Sequence, residues 1–469
     1  MFSFLKAAPN VTKIIDKEVI DKTYKYWRIR IMYSMYIGYA FFYLTRKSFT
    51  FAAPDLINRS YFNPIEIGFL GTVFYIVYGV SKFISGAISD KSNPRYFMSF
   101  GLIMTGVLNI LFGICIIPSV FVHLRDIQLF SGAFEFHGLY IAIFSVIWLL
   151  NAFFQGWGWP PCARLLMNWY AQKERGSWWG IWNTSHNFGG AAIPVLVGLC
   201  MTYGGVFLGP GWGSVSAMIL PGILVIVMGF VLLNRIRDIP STLGLPPVAE
   251  YKNDYPDKSN KVDNDETIST KELFFKHVVN NKYIWLLCFS YVAVYVVRTA
   301  INDWAAVYLV KNGYTVQTAD YCVAFFEIGG FFGSLVAGLC SDVIFKGMRG
   351  QTNVIYSVFV VGAVLLFWLV PGNSFFIHAA AVFLIGFFIF GPQMLIGMAA
   401  AELSHIQAAG MSTGFIAIFG YLGAAVSGMP VGYTINSYGW NGFFIFIMIF
   451  AVASVLFLVP LWRTKSYYC

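Results

Sequence analysis

Tyr39-x-x-x-Tyr43-x-x-Arg46 lies inside a long apolar stretch, and the same pattern returns as Tyr291-x-x-x-Tyr295-x-x-Arg298. A shift of 252 positions carries each residue of the first pattern onto its counterpart in the second. The same shift relates Gly86-x-x-Ser89-Asp90 to Gly338-x-x-Ser341-Asp342. One fixed shift that joins two separate elements indicates a duplicated half of about 230–250 residues.

The composition of the chain is that of a membrane protein. Of its 469 residues, 58% are hydrophobic and only 11% are charged, whereas soluble globular proteins carry about 25% charged residues. The apolar residues form many segments of about 20 residues, the length of a transmembrane helix. The net charge of +9 comes mainly from bases between these segments, so we attribute it to membrane topology and not to nucleic-acid binding.

Twelve apolar segments divide the chain into two sets of six. They are expected at roughly 30–53, 66–89, 97–118, 138–160, 177–203, 213–234, 283–310, 320–342, 352–371, 375–400, 410–435 and 442–462. We expect residues 1–234 to form an N-terminal six-helix bundle, 235–281 a cytoplasmic linker and 282–469 a C-terminal six-helix bundle. Parallel repeats need an even number of helices per half. The pattern therefore predicts an all-α membrane protein with twelve transmembrane helices in two pseudo-symmetric bundles, the major facilitator arrangement.

Basic residues are concentrated on one side of the predicted membrane. The N-terminal tail, the loops at 91–95 and 173–175 and the linker carry them, whereas the turns near 205–212 and 437–441 contain no Lys or Arg. Both termini and the linker are therefore predicted to be cytoplasmic, and 119–137 to be an external loop. The first helix is expected to direct its own insertion, because no cleavable signal segment precedes it.

Arg46 and Arg298 are the strongest functional candidates. A lone charge at membrane depth costs roughly 3 kcal/mol or more, and arginine cannot lose its proton to escape that cost. The simpler alternative is a snorkelling arginine or one half of a structural ion pair. The matched settings in both halves favour an anion site instead, since the guanidinium fork suits bidentate contact with phosphate. Tyrosines stand on the same helix face, three to seven residues before each arginine, at positions 39, 43, 291 and 295.

Two further polar residues are candidates for the same site. His186 follows Asn183 by one turn among aromatic and glycine residues, and a titratable group facing a cavity can gain a proton when phosphate arrives. The alternative is a satisfied core histidine. Lys82 lies in the middle of the second apolar segment, whereas Lys47, next to Arg46, is expected to point elsewhere on its helix.

Acidic residues within or beside the segments suggest gating contacts. Asp303 and Glu327 are expected to pair with Arg or Lys inside the membrane, to exchange partners as the bundles move, or to carry a coupled proton. Gly86 to Arg95, which contains Asp90, and its counterpart with Asp342 are expected to form breakable charge latches at the ends of helices.

Several classes of protein lack support in this sequence. The seven cysteines mostly fall in apolar segments without paired spacing, so neither a disulfide framework nor a metal site is predicted. No phosphate-binding loop, dinucleotide-binding glycine pattern, HExxH or nucleophile elbow occurs in a plausible context. We therefore predict neither an enzyme nor an ATP-driven pump, and we expect no cofactor.

Longer motifs identify a family. Gly86 to Arg95 resembles the signature loop of the major facilitator superfamily. Gly156-Trp-Gly-Trp-Pro-Pro-Cys162, Lys173-Glu-Arg-Gly176, Trp182-Asn-x-x-His-Asn-x-Gly-Gly190 and Phe390-Gly-Pro-Gln393 resemble the bacterial organophosphate:phosphate antiporters. The resemblance covers nearly the whole chain. It implies exchange of internal inorganic phosphate for an external sugar phosphate or glycerol 3-phosphate in the bacterial inner membrane, with membrane lipid as the surrounding partner.

The resemblance also implies roles for individual residues. The two arginines would bind the phosphoryl group with His186 beside them, and further site roles fall on Tyr39, Tyr43, Lys82, Asn183, Tyr295 and Tyr421. Within the family, Phe42 to Phe49 and Ala300 to Trp304 resemble the hexose-phosphate branch, which includes a sensor that acts with a membrane histidine kinase. The stretch 410–417 lacks the Asp and Lys of one type of hexose-phosphate transporter. Glycerol 3-phosphate exchange, sensing and proton symport therefore stay open as alternatives.

Overall fold

The computed structural model describes residue 9 and residues 11–89, 92–126, 139–253, 274–369, 374–404 and 409–464. This part of the chain is helical and contains no strand. The helices are α1 Lys17–Asn58, α2 Pro64–Ser89, α3 Pro94–Cys115, α4 Pro118–Asp126, α5 Leu139–Gln155, α6 Trp159–Trp169, α7 Gln172–Asn183, α8 Ser185–Leu208, α9 Trp212–Arg235, α10 Val248–Tyr251, α11 Lys282–Lys311, α12 Val316–Leu339, α13 Arg349–Leu369, α14 Phe375–Glu402, α15 Ala409–Val426 and α16 Met429–Leu458.

Local sequence explains several of the helix starts. Asp16 caps α1 by accepting a hydrogen bond from the Glu18 backbone N–H at 2.9 Å. Asn93 and Asn281 cap α3 and α11 in the same way, each with its side-chain oxygen 3.0 Å from the backbone nitrogen two residues later. Each cap satisfies a backbone donor that the helix itself cannot pair.

Twelve membrane passes follow from these helices. Ten stretches have the length and hydropathy of membrane spans, and one of them, Ser412–Leu461, covers two passes. The 42-residue helix α1, which is not among these ten stretches, supplies the twelfth pass. Within α16 the chain reverses at Gly439, where φ is 66° and ψ is −165°, a backbone conformation that favours glycine. The predicted all-α fold with twelve transmembrane helices is confirmed.

Two passes are broken in the middle. The turn Gly156–Gly158 separates α5 from α6, and Thr184 separates α7 from α8. Both breaks lie in motifs that the sequence had marked. The expected external loop at 119–137 begins instead with a short helix, α4, and residues 127–138 lie outside the described residues. Its proline start and apolar Phe121, fully buried against aromatic neighbours, stabilise this helix.

The halves before residue 235 and after residue 282 meet along two seams, α2 with α15 and α16, and α8 with α12. We call the end where α1 begins and α9 ends the linker end, and the other end the far end. Gly68, Gly428 and Gly432 let the backbones of the first seam touch: a Cβ on Gly68 would lie 2.6 Å from Gly428 O. Between described residues, the hydrogen bonds that join the halves lie at the molecular centre or on its far-end side.

Of the two expected charge latches, the second has its acidic residue within the described part of the chain. Asp342 forms an ion pair with Arg349, and Arg349 also contacts Glu402 at 3.1 Å. In the first half Arg95 donates to the backbone oxygen of Leu233, and no described carboxylate forms an ion pair with it. Asp90 lies outside the described residues. A latch role for these residues stays a prediction.

Candidate functional site

A cavity of about 170 Å³ lies between the two halves at the centre of the molecule. Helices α1, α2, α6, α7 and α8 of the first half line it, together with α11, α12, α14 and α15 of the second. The nine residues that the sequence analysis assigned to a binding site all contribute to its wall: Tyr39, Tyr43, Arg46, Lys82, Asn183, His186, Tyr295, Arg298 and Tyr421. The structure thus brings together residues up to 382 positions apart in the chain.

Arg46 is held in the cavity wall by neutral partners. Its Nε donates to Gln155 Oε1 at 3.3 Å and its Nη2 donates to Tyr78 OH at 3.2 Å. The guanidinium carbon lies 4.3 Å from the centre of the Tyr43 ring and 4.5 Å from that of Tyr78. The residue is 8% exposed. These contacts fix the orientation of the guanidinium but leave its charge unneutralised.

Arg298 approaches the cavity from the other half. Its guanidinium carbon lies 4.7 Å from the centre of the Phe390 ring and 5.7 Å from that of Tyr295. Its Nε is buried and has no hydrogen-bond partner in the described part of the protein. No carboxylate among the described residues lies within ion-pair distance of it. The second arginine is therefore also available to an anion.

Lys47 corrects one expectation from the sequence. It does not point away from the site but lines the cavity and forms an ion pair with Asp303. Tyr75 completes this group: its hydroxyl lies 3.0 Å from Lys47 Nζ and donates to the second Asp303 oxygen at 2.7 Å. The long lysine side chain reaches this partner although its Cα lies about 100° around the helix from that of Arg46. Of the alternatives for Asp303, pairing with a lysine describes this structure.

Glu327 is buried at the cavity edge and its partners are neutral. Asn187 donates to Oε2 at 3.2 Å, and Asn302 donates to Oε1 at 3.3 Å. A Cβ on Gly190 would lie 2.7 Å from the Glu327 carboxyl carbon, so α8 comes close enough to cover it. Among the described residues no ion pair within 4 Å involves Glu327, and partner exchange or proton transfer at this residue stays a prediction.

His186, Lys82 and Tyr421 form the side of the cavity nearer the linker end. His186 Nδ1 donates to the backbone oxygen of Asn183, an interaction that turns the other ring nitrogen away from α7. Its ring centre lies 6.1 Å from that of Phe390, which belongs to the other half. Lys82 Nζ donates to Tyr421 OH at 2.9 Å, again across the halves. The cavity therefore has polar groups from both halves on this side too.

The charges around the cavity do not balance. Four cationic side chains line it, Arg46, Lys47, Lys82 and Arg298, against two carboxylates, Asp303 and Glu327. With these groups in their ordinary ionised forms and histidine neutral, the wall carries an excess of two positive charges. A buried excess of this size is costly without an anion. The arrangement suits a ligand with two negative charges.

Some wall residues were missed by the sequence analysis. Tyr75 and Tyr78 line the cavity from α2, Asn302 lines it from α11, and Gln155 supports Arg46 from behind. Tyrosines one turn apart in an apolar helix were a usable signal, because they lie on the same helix face as Lys82. Gln155 carried no such signal. Its part depends on the packing of α5 against the rest of the first half.

The comparison with known protein families decides the classification. The model of the Major Facilitator Superfamily matches residues 35–428. The chain belongs to this superfamily. It is a membrane transport protein of that class and not an enzyme.

Relatives of known name are similar over nearly the whole chain. The chain is 46% identical over 467 residues to a probable hexose phosphate transport protein of Chlamydia muridarum, covering 97% of this chain and 96% of the relative. It is also 46% identical over 467 residues to the membrane sensor protein UhpC of Escherichia coli, covering 99% of each. The resemblance to the hexose-phosphate branch inferred from the motifs is thereby confirmed.

The fold is similar to that of a solved transporter. A bacterial homologue of the human lysosomal transporter Spinster, in an inward-facing and unoccupied conformation, aligns with a TM-score of 0.68 at 15% identity. The alignment covers 93% of this chain and 95% of the other. At this identity the likeness supports the fold alone, and it confirms the major facilitator arrangement.

Proposed function

We propose that this protein exchanges external sugar phosphate, with hexose 6-phosphate as the main candidate, for internal inorganic phosphate. The observation that carries the proposal is the cavity with one unneutralised arginine from each half, Arg46 and Arg298. Arginine is suited to phosphate because its planar fork donates two parallel hydrogen bonds. The relatives named for hexose phosphate transport support the choice of sugar phosphate.

The excess positive charge explains why such a carrier would exchange ligands. When the cavity is empty, closing it must remove water from cations of like charge. A phosphate dianion offsets that repulsion, so the loaded protein changes conformation more easily than the empty one. Net leakage is then slow and exchange is fast.

Alternating access requires both seams to open and close. Apart from the Lys82–Tyr421 bond on the linker-end side of the cavity, the described hydrogen bonds between the halves lie at the cavity or beyond it toward the far end. In our proposal this arrangement corresponds to the state open to the linker end, with the linker and both termini in the cytoplasm of a bacterium. Residues 1–234 and 282–469 then move as two bundles around the cavity, connected by 235–281.

In our proposal the sugar is recognised by side chains that have no like counterpart in the other half. The shift of 252 positions carries Lys82 onto Ser334 and His186 onto Tyr438. In the proposal Lys82, Tyr421 and Asn183 face the sugar, while the arginines and His186 hold the phosphoryl group. The arginines account for phosphate as the common group, and the unrepeated residues select among phosphate esters.

Counterflow in proteoliposomes tests the proposal. Vesicles loaded with phosphate should take up labelled phosphate or glucose 6-phosphate through the wild-type protein, and Arg46→Ala and Arg298→Ala should abolish this uptake. Arg59→Ala is the matched control, because Arg59 lies at the far end and pairs with Asp55 outside the cavity. Full exchange in either cavity variant would refute the two-arginine site. A panel with glycerol 3-phosphate would separate that substrate from hexose phosphates.

A sensor is the second candidate, favoured by the similarity to UhpC at the same 46% identity. In this case the cavity would bind sugar phosphate and signal through a membrane histidine kinase. Binding of glucose 6-phosphate without phosphate exchange by the purified protein would favour sensing. Rapid exchange in the absence of any kinase would favour transport.

A further inference from the structure

A second basic site lies at the linker end, outside the central cavity. Arg30 on α1, Arg95 at the start of α3 and Arg237 just after α9 converge on the last turn of α9. Arg30 Nη2 and Arg237 Nη1 share one acceptor, the backbone oxygen of Asn234, at 3.1 and 3.2 Å. Arg95 donates to the neighbouring oxygen of Leu233. Three guanidinium groups are thus held within one small region.

Two of these guanidinium groups, those of Arg30 and Arg237, lie next to the same indole ring, that of Trp27. The guanidinium carbon of Arg30 lies 4.5 Å from the centre of the Trp27 ring, and that of Arg237 lies 4.9 Å from it. Burial lowers the pKa of the Arg237 guanidinium, and the neighbouring charges of Arg95 and Arg30 lower it further. The three cations are therefore close enough to repel one another.

The described part of the protein does not neutralise this cluster with a carboxylate. Among the described residues, no carboxylate forms an ion pair with Arg30, Arg95 or Arg237. Asp238, the nearest carboxylate in sequence, is fully buried and lies 3.3 Å from Arg164 instead. The carbonyl groups at the end of α9 supply about half a negative charge, so among the described residues more than two positive charges of the cluster are unbalanced.

The surroundings of the cluster are apolar and exposed. On α9, Val227, Phe230 and Val231 are 56%, 60% and 41% exposed and lie on one face that leads to Asn234. On α1, Ile29 and Tyr33 are 54% and 41% exposed beside Arg30. In a membrane protein such faces contact acyl chains. A phosphate group bound at the arginines would therefore have hydrocarbon directly beside it on the membrane side.

We propose that Arg30, Arg95 and Arg237 form a binding site for the phosphodiester headgroup of an anionic phospholipid, whose acyl chains lie along the exposed faces of α1 and α9. Basic pockets between helices on the cytoplasmic side are suited to such headgroups. A free phosphate ion would use the same guanidinium groups but would gain nothing from the apolar faces. This difference favours the lipid.

Native mass spectrometry of the purified full-length protein tests the site. Wild-type protein should retain phosphatidylglycerol in preference to phosphatidylcholine. The variant R30Q/R237Q should bind phosphatidylglycerol roughly thirtyfold more weakly. The charge-matched control K22Q/K25Q removes two exposed lysines from the same end of α1 and should bind like wild type. Equal weakening in the control, or no preference for the anionic lipid, would overturn the proposal.

Two further measurements distinguish a lipid site from a site for free phosphate and do not depend on the folding of R30Q/R237Q. Millimolar inorganic phosphate should not displace the lipid, and displacement would identify a site for the free ion instead. If R30Q/R237Q does not fold, brominated phosphatidylglycerol can be added to the otherwise unchanged protein. It should quench tryptophan fluorescence more in wild type than in Trp27→Phe, and an equal degree of quenching would overturn the lipid site.

Discussion

Lys47 on α1 and Asp303 on α11 form an ion pair that ties the two halves together at the wall of the central cavity. Neither charge is repeated by the duplication, since the shift of 252 positions carries Lys47 onto Thr299 and relates Asp303 to Phe51. The pair therefore lies at positions where the two halves carry different residues. When the two halves move relative to each other, this ion pair must either be kept or be broken.

Loss of one partner of this pair should destabilise the protein. Lys47→Met leaves the Asp303 carboxylate buried beside Tyr75 without its cation, and Asp303→Asn leaves the ammonium without its anion. An unpaired buried charge of this kind costs about 3 kcal/mol. We expect both single variants to unfold at lower temperature in detergent and to exchange phosphate more slowly.

The double variant distinguishes pairing from a general packing effect. Lys47→Met/Asp303→Asn removes both charges, so its thermal unfolding temperature should lie closer to wild type than that of either single variant. Destabilisation equal to the sum of the two single effects would show that the residues do not act as a pair.

We predict that a positive charge at positions 46 and 298 does not by itself give full phosphate affinity. Arg46→Lys and Arg298→Lys keep one positive charge but lose the planar fork that binds two phosphate oxygens. Loss of a hydrogen bond to a charged group should weaken phosphate binding by roughly ten- to a hundredfold. Competition by unlabelled phosphate in counterflow measures this affinity. The exposed, paired Arg59 offers the control Arg59→Lys, which should leave the affinity unchanged.

Glu327 is predicted to tune the charge of the cavity. Glu327→Gln keeps the shape but removes one of the two carboxylates that face the four cations. The empty cavity then carries more positive charge, so inorganic phosphate should bind more tightly while its release, and hence the exchange rate, becomes slower. Separate measurement of phosphate affinity and maximal exchange rate checks this. A variant with weaker phosphate binding would contradict the electrostatic account.

Part of this site could be predicted from the sequence because it follows from helix geometry and duplication. The repeated spacing in α1 and α11 marks residues on one helix face, and the three tyrosines and two arginines that we assigned to the site from it line the cavity, whereas Tyr291 is not among the lining residues. Their roles in binding stay predictions. The twelve passes likewise follow from apolar length, and the non-helical Gly439 lies between the last two predicted segments. The short helix α4 was not predicted.

Other features depend on contacts between helices that no local pattern encodes. Gln155 reaches Arg46 only because α5 packs behind α1, and two amides reach Glu327 only because α8 and α11 meet α12 there. The position of Lys47 was predicted wrongly for the same reason. Its partner lies on a helix of the other half, 256 residues away.

The first seam, where α2 packs against α15 and α16, should control which end of the protein is open. A Cβ on Gly428 would lie 2.4 Å from Thr72 Oγ1 and 2.6 Å from Gly68 O, so Gly428→Ala cannot keep the present contact between the backbones. Helices that pack this closely in a membrane need small residues at their contact. We expect the variant to favour a state in which the far end is open.

Accessibility of engineered cysteines measures this shift. A cysteine replacing Thr50, which borders a small cavity of about 30 Å³ beside Gly428, should react with a membrane-impermeant maleimide from the external side in Gly428→Ala far faster than in the wild-type background. Exchange should fall at the same time, because the far end closes less often. Gly362→Ala is the matched control, since a Cβ there meets nothing within 4 Å. Unchanged labelling in Gly428→Ala, or equal acceleration in the control, would show that contact at Gly428 does not keep the far end closed.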